Sequence, residues 1–325
     1  MTHALALLLV ALLAGEAQAW SDLGHQAIGR AAQALLDDAT KTKIARAAGL
    51  ASLPDGELAR MGTWLDDIRR LERGLPHALD PEAAKEAGAF VRQFPDHPTW
   101  HYVNLPLGTA YPDGASPYTR PNDVVGTLVR CIAVLEGRAP AGGMTPPIAL
   151  RVLVHLVGDL HQPLHVSTGY FDVRDMSAPR LLREPPLPRR SVSDLGGNRL
   201  SFGATNLHAV WDHALVISRG ADDAKGLAAE LLASGPSRLT APGDPASWPR
   251  AWATEASRLA VTAYQPLRFG PAHLRPGAEE IERIEITSPT AEAYARNPAL
   301  KLVARQQLAR AAGRLAELLR AIRWP

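Results

Sequence analysis

The chain has 325 residues, of which 46% are hydrophobic and 21% charged, and its formal net charge is +2. This composition excludes a disordered or low-complexity chain and permits a large buried core, and the mildly basic balance suits a polyanionic ligand without requiring one. The single cysteine, Cys131, excludes an intrachain disulfide. Its position in an apolar helical pattern predicts a packing role rather than a chemical one.

The first 19 residues are predicted to be a signal peptide. Leu5 to Leu13 is an apolar run too short to span a bilayer, and Ala17-Gln-Ala19 has the small-x-small pattern of a cleavage site. A buried first helix is the alternative, which the uniformly apolar pattern disfavours. Cleavage would make Trp20 the first residue of a single domain over residues 20–325. We therefore expect an exported protein, periplasmic or secreted, without an integral membrane segment.

The remaining chain has recurrent helical periodicity and few strand signals. Helices are predicted over Gln26 to Ala47, Glu57 to Leu71, Asp123 to Leu135, Pro147 to His161, Leu207 to Ile217, Ala221 to Leu232, Ala251 to Tyr264 and Pro298 to Ile322. The helix that ends at His161 is apolar nearly all round, which predicts a central position. Thr168 to Asn206 is predicted to be a loop with room for a small hairpin. The pattern indicates an all-α single domain with long loops and at most a short β-hairpin.

Two predicted helices carry a histidine and an aspartate four residues apart. His155 and Asp159 share one face of an apolar helix, where an ionised carboxylate is unfavourable unless it is paired or coordinated. A proline then ends this helix and turns His165 back toward the same face. His208 and Asp212 repeat the spacing further along the chain. His155 and Asp159 alone could be a buried pair that satisfies itself, and the spacing of His208 and Asp212 alone is one that surface helices often show by chance. The two pairs together favour a metal site.

Two other regions offer candidate ligands. Asp66 and His101 follow tryptophans in W-x-D and W-H-Y, and each alone would be structural. At the predicted mature amino terminus, the α-amine of Trp20 has an ordinary pKa near 8 and could chelate an ion together with its own carbonyl oxygen. His25 would complete that site. Imidazole, carboxylate and amine ligands without thiolate favour zinc over manganese or iron.

The ordered motifs W-x4-H, W-x-D, W-H-Y, H-x3-D-x5-H, G-G-N and N-L-H-x2-W-D resemble those of one enzyme family. It is the trinuclear-zinc, single-strand-specific nuclease family of fungi, plants and bacteria, within the zinc-dependent phospholipase C superfamily, and the resemblance runs from Trp20 to Leu319. It implies three zinc ions. The implied ligands are Asp66, His101, His155 and Asp159 for one zinc; Trp20 and His25, with Asp159 as a bridge, for a second; and His165, His208 and Asp212 for the third.

The resemblance also implies a reaction. Zinc would activate water for attack on a phosphodiester of single-stranded RNA or DNA, leaving a 5′-phosphate on the product, with 3′-nucleotidase activity left open. Asp66, Arg69 and Asp159 are the implied catalytic residues. Arg69 lies where the family steadies the phosphate, a role suited to its planar guanidinium, and an ion pair with Asp67 is the alternative.

Four further residues are implied to contact the substrate. Tyr102 would stack on an unpaired base, which explains a preference for single strands. Gly197 and Asn198 of the G-G-N motif would line the same pocket. Asn104 replaces the aspartate that fungal and plant members use at the base edge, so their base preference is not carried over. His161, which lies off the His155 face, is expected to orient a neighbour rather than to bind metal.

Two other functions remain open. A phospholipase C could use the same ligands on a lipid phosphodiester, although that branch usually has glutamate in place of Asp212 and lacks G-G-N. A non-catalytic zinc-binding protein would explain the ligands but would leave Arg69 and Tyr102 without a role. Nucleic acid is the expected partner, and no stable protein partner is implied.

Overall fold

The computed structural model describes residues 20–138, 143–182, 191–217, 223–235 and 243–325, so the predicted signal peptide lies outside it. The fold is mostly helical. The longer helices are α1 (Asp22–Leu35), α2 (Asp38–Ala47), α3 (Glu57–Glu72), α4 (Pro81–Gln93), α5 (Val124–Leu135), α6 (Pro146–Leu160), α9 (Ala224–Ala233), α10 (Trp248–Tyr264) and α12 (Pro298–Ala321). The short ones are α7 (Pro163–Val166), α8 (Leu207–Ala209) and α11 (Ala291–Ala295).

The predicted helix from Gln26 to Ala47 is in fact two helices. Asp37 has an extended backbone, and its carboxylate accepts a hydrogen bond from the Thr40 N–H at 2.7 Å. This side chain caps α2, so the break after Leu35 has a local cause. Helix α4 was not predicted, although Asp80 at its N-cap and Pro81 in its first turn are a recognisable start signal.

Helix α6 is the centre of the core, as its apolar circumference predicts. Apart from the partly exposed Arg151, its residues from Ile148 to Leu160 are buried, and the helix packs against α3 and α5. Helix α1 crosses α3 closely at Gly29, where an added Cβ would lie 2.4 Å from the Leu58 carbonyl oxygen. Because Gly29 lets α1 and α3 lie close together, both helices present polar side chains to the same region of α6.

Strands form three small sheets within the described residues. Their bounds are β1 (Leu105–Pro106), β2 (Ser167–Thr168), β3 (Tyr170–Asp172), β4 (Arg180–Leu181), β5 (Val192–Ser193), β6 (Leu200–Ser201), β7 (Arg268–Leu274) and β8 (Ile281–Ser288). The antiparallel β7–β8 hairpin was not predicted, although β8 buries alternate isoleucines, Ile284 and Ile286. Its partner β6 runs parallel to β8 and holds the end of the G-G-N loop.

No helix in the described part of the chain combines the length and the apolar character that crossing a bilayer requires.

Candidate metal centre

Five side chains from four parts of the chain meet against α6 in what we call the bridged cluster: His25, Asp66, His101, His155 and Asp159. Asp159 is at its middle. Its Oδ1 lies 3.2 Å from His25 Nε2, and its Oδ2 lies 3.0 Å from His101 Nδ1 and 3.1 Å from His155 Nε2. Asp66 Oδ1 lies 3.9 Å from His155 Nε2 and 4.0 Å from His101 Nδ1. All five side chains are buried.

A second group, the outer cluster, consists of His165, His208 and Asp212. His208 Nε2 lies 3.0 Å from His165 Nε2 and 3.3 Å from Asp212 Oδ2. His165 belongs to α7, which begins at a proline directly after α6. Asp212 lies in a π-helical turn, Val210–Ala214, that continues α8. Such turns are rare and occur often at functional sites.

Backbone carbonyls hold the imidazole rings in place. His155 Nδ1 donates to the Gly62 carbonyl at 2.7 Å, His165 Nδ1 to the carbonyl of His101 at 2.9 Å, and His208 Nδ1 to the carbonyl of Gly196 at 2.7 Å. With its proton on Nδ1, each ring directs the lone pair of Nε2 into a cluster. This carbonyl-backed arrangement is how metal-binding histidines are usually oriented.

Three carboxylate oxygens of the two clusters are buried without a hydrogen-bond partner among the described residues. The close contacts of Asp159 Oδ1 and Asp212 Oδ2 lack hydrogen-bond alignment, and Asp66 Oδ2 is likewise buried without a hydrogen bond among the described residues. Ligands of one tetrahedral zinc are about 3.3 Å apart when each bond is about 2.0–2.1 Å. The spacings of 3.0–3.3 Å around Asp159 and His208 agree with this value. Buried oxygens and imidazole nitrogens converging on common points fit zinc.

The protonation states also suit a cation. Burial lowers the pKa of His101 and of His208 to about 3, so both rings are neutral and able to bind metal. Burial raises the pKa of Asp212 well above its usual value, because nothing charged compensates the carboxylate. Burial also acts to raise the pKa of Asp159, but His155 and the other histidines outweigh it and hold that pKa well below its usual range.

Gly158 on α6 makes room for the His25 ring. An added Cβ at Gly158 would lie 2.7 Å from the His25 Cε1 and Nδ1 atoms. The His25 ring also stacks on His155 with 4.2 Å between ring centroids and an interplanar angle of 10°. The ring therefore packs against α6 at both Gly158 and His155.

Trp20 is fully buried at the start of α1, ahead of His25. The Ser21 N–H donates to the Asp212 carbonyl oxygen at 2.8 Å. This bond joins the start of the described chain to the outer cluster, so the backbone of Trp20 enters the fold beside the metal-binding residues.

A cavity of about 410 Å³ opens above the clusters. Its lining includes Arg69, Arg73, His101, Tyr102, Asn104, Leu164, His165, Leu195, Asn198, Asn206 and His208. Asp67 accepts a hydrogen bond from Arg70 at 2.7 Å, whereas Arg69 borders the cavity. This is the arrangement expected if Arg69 contacts substrate rather than pairing with Asp67. Arg73 was not singled out from the sequence.

The G-G-N loop forms one wall of the cavity through Asn198, which was expected there, and through Leu195 instead of Gly197. Leu195 is 43% exposed and has a φ of 55°, a backbone conformation that is unfavourable for leucine. Strained residues of this kind concentrate at functional sites, and the Leu195 side chain borders the cavity that Tyr102 also lines. Asn198 lines it as well. Gly197 is buried behind the wall, where its φ is 84° and an added Cβ would lie 3.1 Å from Leu207.

Asp194 holds this loop from within and is a residue that sequence reasoning missed. Its Oδ1 accepts hydrogen bonds from Gly197 N–H at 3.0 Å, Thr168 Oγ1 at 2.9 Å and Gly169 N–H at 3.1 Å. The Tyr264 hydroxyl donates to Oδ2 at 2.9 Å. Burial raises the pKa of Asp194 to about 6 in spite of these donors. The loop whose Gly196 carbonyl supports His208 is thus anchored by one carboxylate.

His161 lies off the face of α6 that carries the candidate ligands His155 and Asp159. Its Nδ1 donates to the Val157 carbonyl at 2.7 Å, and its Nε2 accepts from Arg314 at 3.0 Å. Gln307 donates to the His161 backbone carbonyl at 2.9 Å. These contacts tie the end of α6 to α12, away from both clusters.

A mostly helical chain with two buried His/Asp clusters beneath a polar cavity has the arrangement of a protein that could bind metal ions. The chain belongs to the S1/P1 nuclease family, which it matches over residues 20–323. It is 23% identical over 216 residues to "Endonuclease 3" of Arabidopsis thaliana, covering 65% of this chain and 60% of the relative. It is 24% identical over 220 residues to "Endonuclease 2" of the same plant, covering 62% and 58%. The matches thus span about three fifths of either relative's length.

Proposed function

We propose that this protein is an exported zinc-dependent phosphodiesterase that cleaves single-stranded RNA or DNA and leaves a 5′-phosphate on the product. The observation that carries the proposal is the cavity, which has two His/Asp clusters in or beneath its floor and Arg69, Tyr102, Asn104 and Asn198 in its walls. Membership of the S1/P1 nuclease family supports it. A family match that begins at residue 20 agrees with a mature protein that starts at Trp20.

The proposed metal content is three zinc ions. The bridged cluster would hold two of them, with Asp159 shared and the amine and carbonyl of Trp20 completing the His25 site, and the outer cluster would hold the third. When bound, zinc would supply Lewis acidity, lowering the pKa of water and offsetting phosphate charge.

The residues of the cavity wall have separate tasks in this proposal. Arg69 donates its paired N–H groups to phosphate oxygens as negative charge shifts onto them during attack. Tyr102 stacks on a base, and Leu195 supplies apolar surface beside it. The amides of Asn104 and Asn198 offer hydrogen bonds to the base edge. A base can enter only when it is unpaired, which is the physical reason for single-strand preference.

One preparation of holoprotein that begins at Trp20 tests the proposal. Single-stranded RNA, single-stranded DNA, the matched duplexes and phosphatidylcholine vesicles are offered under the same conditions. We expect cleavage of the single strands with 5′-phosphate ends, slower cleavage of duplexes, and loss of activity on chelation that added zinc restores. Release of phosphocholine without nucleic-acid cleavage would instead identify a phospholipase C. Zinc binding without hydrolysis of any substrate would identify a zinc-binding protein.

A further inference from the structure

A second arginine borders the metal cavity, one helical turn beyond Arg69. Helix α3 ends at Glu72, and Arg73 is its C-cap, with φ of −92° and ψ of 0°. The backbone therefore keeps its helical course through Arg73, and residues four apart on such a course lie on the same side of the helix. Both guanidinium groups reach the lining of the same cavity.

The charges in this lining favour an anion. Among the described residues that line the cavity, Arg69 and Arg73 are cationic, and none is acidic. The carboxylates of Asp66, Asp159 and Asp212 lie beneath, in the clusters. Arg73 is exposed whereas Arg69 is partly buried, so the pair extends from the metal centre toward solvent.

We propose that Arg73 binds the phosphate next to the one held by Arg69, so the preferred substrate is a strand with at least two phosphodiesters. This inference rests on the proposed function. Adjacent phosphates of a strand are separated by one sugar, a distance that two long side chains one turn apart can span. A phospholipid or a dinucleoside monophosphate has only one phosphodiester, so it can contact Arg69 but has no second phosphate for Arg73. The structural alternative for Arg73 is stabilisation of the α3 C-terminus, where cations are favoured.

The salt dependence of binding separates these two roles. Each phosphate contact on a single strand contributes about 0.7 to the slope of log K against log salt concentration. Binding of a phosphorothioate oligothymidylate, which resists cleavage, is followed by fluorescence anisotropy with holoprotein over a range of salt. We expect Arg73→Ala to reduce the slope by about 0.7 and Arg73→Lys to retain it.

Chain length gives an independent measurement. The ratio of kcat/KM for a long oligothymidylate to kcat/KM for the dinucleoside monophosphate should fall roughly five- to tenfold in Arg73→Ala at low salt. Arg60→Ala is the matched control, because Arg60 lies on α3 and donates to Glu57 at 3.0 Å without lining the cavity. It should keep the wild-type slope and ratio.

The outcomes distinguish this inference from the function on which it rests. If wild-type protein cleaves oligonucleotides but Arg73→Ala has the same salt slope and length ratio as Arg60→Ala, Arg73 only caps the helix and the inference is wrong. If wild-type protein cleaves no nucleic acid of any length, the proposed function fails and the inference fails with it. Loss of thermal stability in Arg73→Ala with an unchanged slope would also overturn the inference.

Discussion

At the scale of single residues, Asp159 lies at the middle of the bridged cluster. It touches His25, His101 and His155 at 3.0–3.2 Å. Asp159→Asn removes the charge that would join two ions, so we expect a loss of roughly two zinc ions per chain and an activity loss beyond ~100-fold. Elemental analysis after dialysis, together with kcat/KM on a single-stranded oligonucleotide, measures both.

Two variants serve as controls for Asp159→Asn. Asp67→Asn also removes a buried carboxylate, but its contacts are Arg70 and the Ala78 N–H, so zinc content should be retained. His161→Ala removes a ring that contacts Val157 and Arg314, so activity should fall only ~10–100-fold. Full zinc content in Asp159→Asn would contradict the bridging assignment.

Tyr102 is predicted to act on substrate and not on metal. Tyr102→Ala should weaken binding of single-stranded substrates by about 1–3 kcal/mol for the stacked base and raise KM accordingly, with zinc content unchanged. Tyr102→Phe keeps the ring and should retain most of the binding. Steady-state kinetics on oligonucleotides with all three proteins provides the comparison, and an unchanged KM in Tyr102→Ala would remove this ring from the pocket.

At the scale of elements, the contact between α1 and α6 decides where His25 lies. Gly158→Ala would place a Cβ 2.7 Å from the His25 ring, so the ring would have to move from its stacked position on His155. We expect loss of roughly one zinc ion and a matching loss of activity. Zinc content, kcat/KM and Tm are to be measured together.

Gly88→Ala is the matched control for this helix substitution. Gly88 lies on α4, and its added Cβ would meet only the Arg92 guanidinium, at 3.5 Å. The change should leave zinc content intact and stabilise the protein by about 0.5–1 kcal/mol, because alanine favours a helix. A Gly158→Ala protein with a full zinc complement would show that α6 does not position His25.

At the scale of the whole molecule, removal of the proposed zinc should destabilise the fold. The clusters join α1, α3, α6, α7 and the π-helical turn, and their carboxylates are buried. A ligand that binds only the folded state stabilises it by about 2.7 kcal/mol per site at a hundredfold excess over Kd. Chelation should therefore lower Tm by at least several degrees, and scanning calorimetry before and after zinc readdition measures the shift. A Tm insensitive to chelation would argue against buried zinc.

Processing of the amino terminus is a second test at this scale. If Trp20 binds zinc through its own amine, one retained Ala19 converts that amine into an amide, whose delocalised lone pair does not bind zinc at neutral pH. The form that begins at Ala19 should lose zinc and activity, whereas a tag after Pro325 should be tolerated. Equal zinc content and activity in the Ala19 and Trp20 forms would show that the amino terminus is not a ligand.

Local patterns were sufficient to predict most of the helices and the two His/Asp pairs, whereas the convergence of all eight candidate ligand side chains was implied by the family resemblance. The spacing of His155 from Asp159, and of His208 from Asp212, puts each pair on one helical face whatever surrounds it. The apolar circumference of α6 likewise predicts burial. The break after Leu35 and the start of α4 had local capping signals, so they were within reach of the sequence.

Only the tertiary structure decided which other residues border the cavity. Arg69 lines the cavity while its neighbour Arg70 pairs with Asp67. Arg73 lines the cavity as well, because the backbone of α3 stays helical through this C-cap residue. Leu195 replaces Gly197 in the wall because Asp194, which is bonded to Gly197 in its own loop and to Thr168 and Tyr264 in two other segments, sets the loop conformation. Spacing along one helix is a local property, whereas the cavity forms only where segments far apart in sequence, from Arg69 to His208, come together.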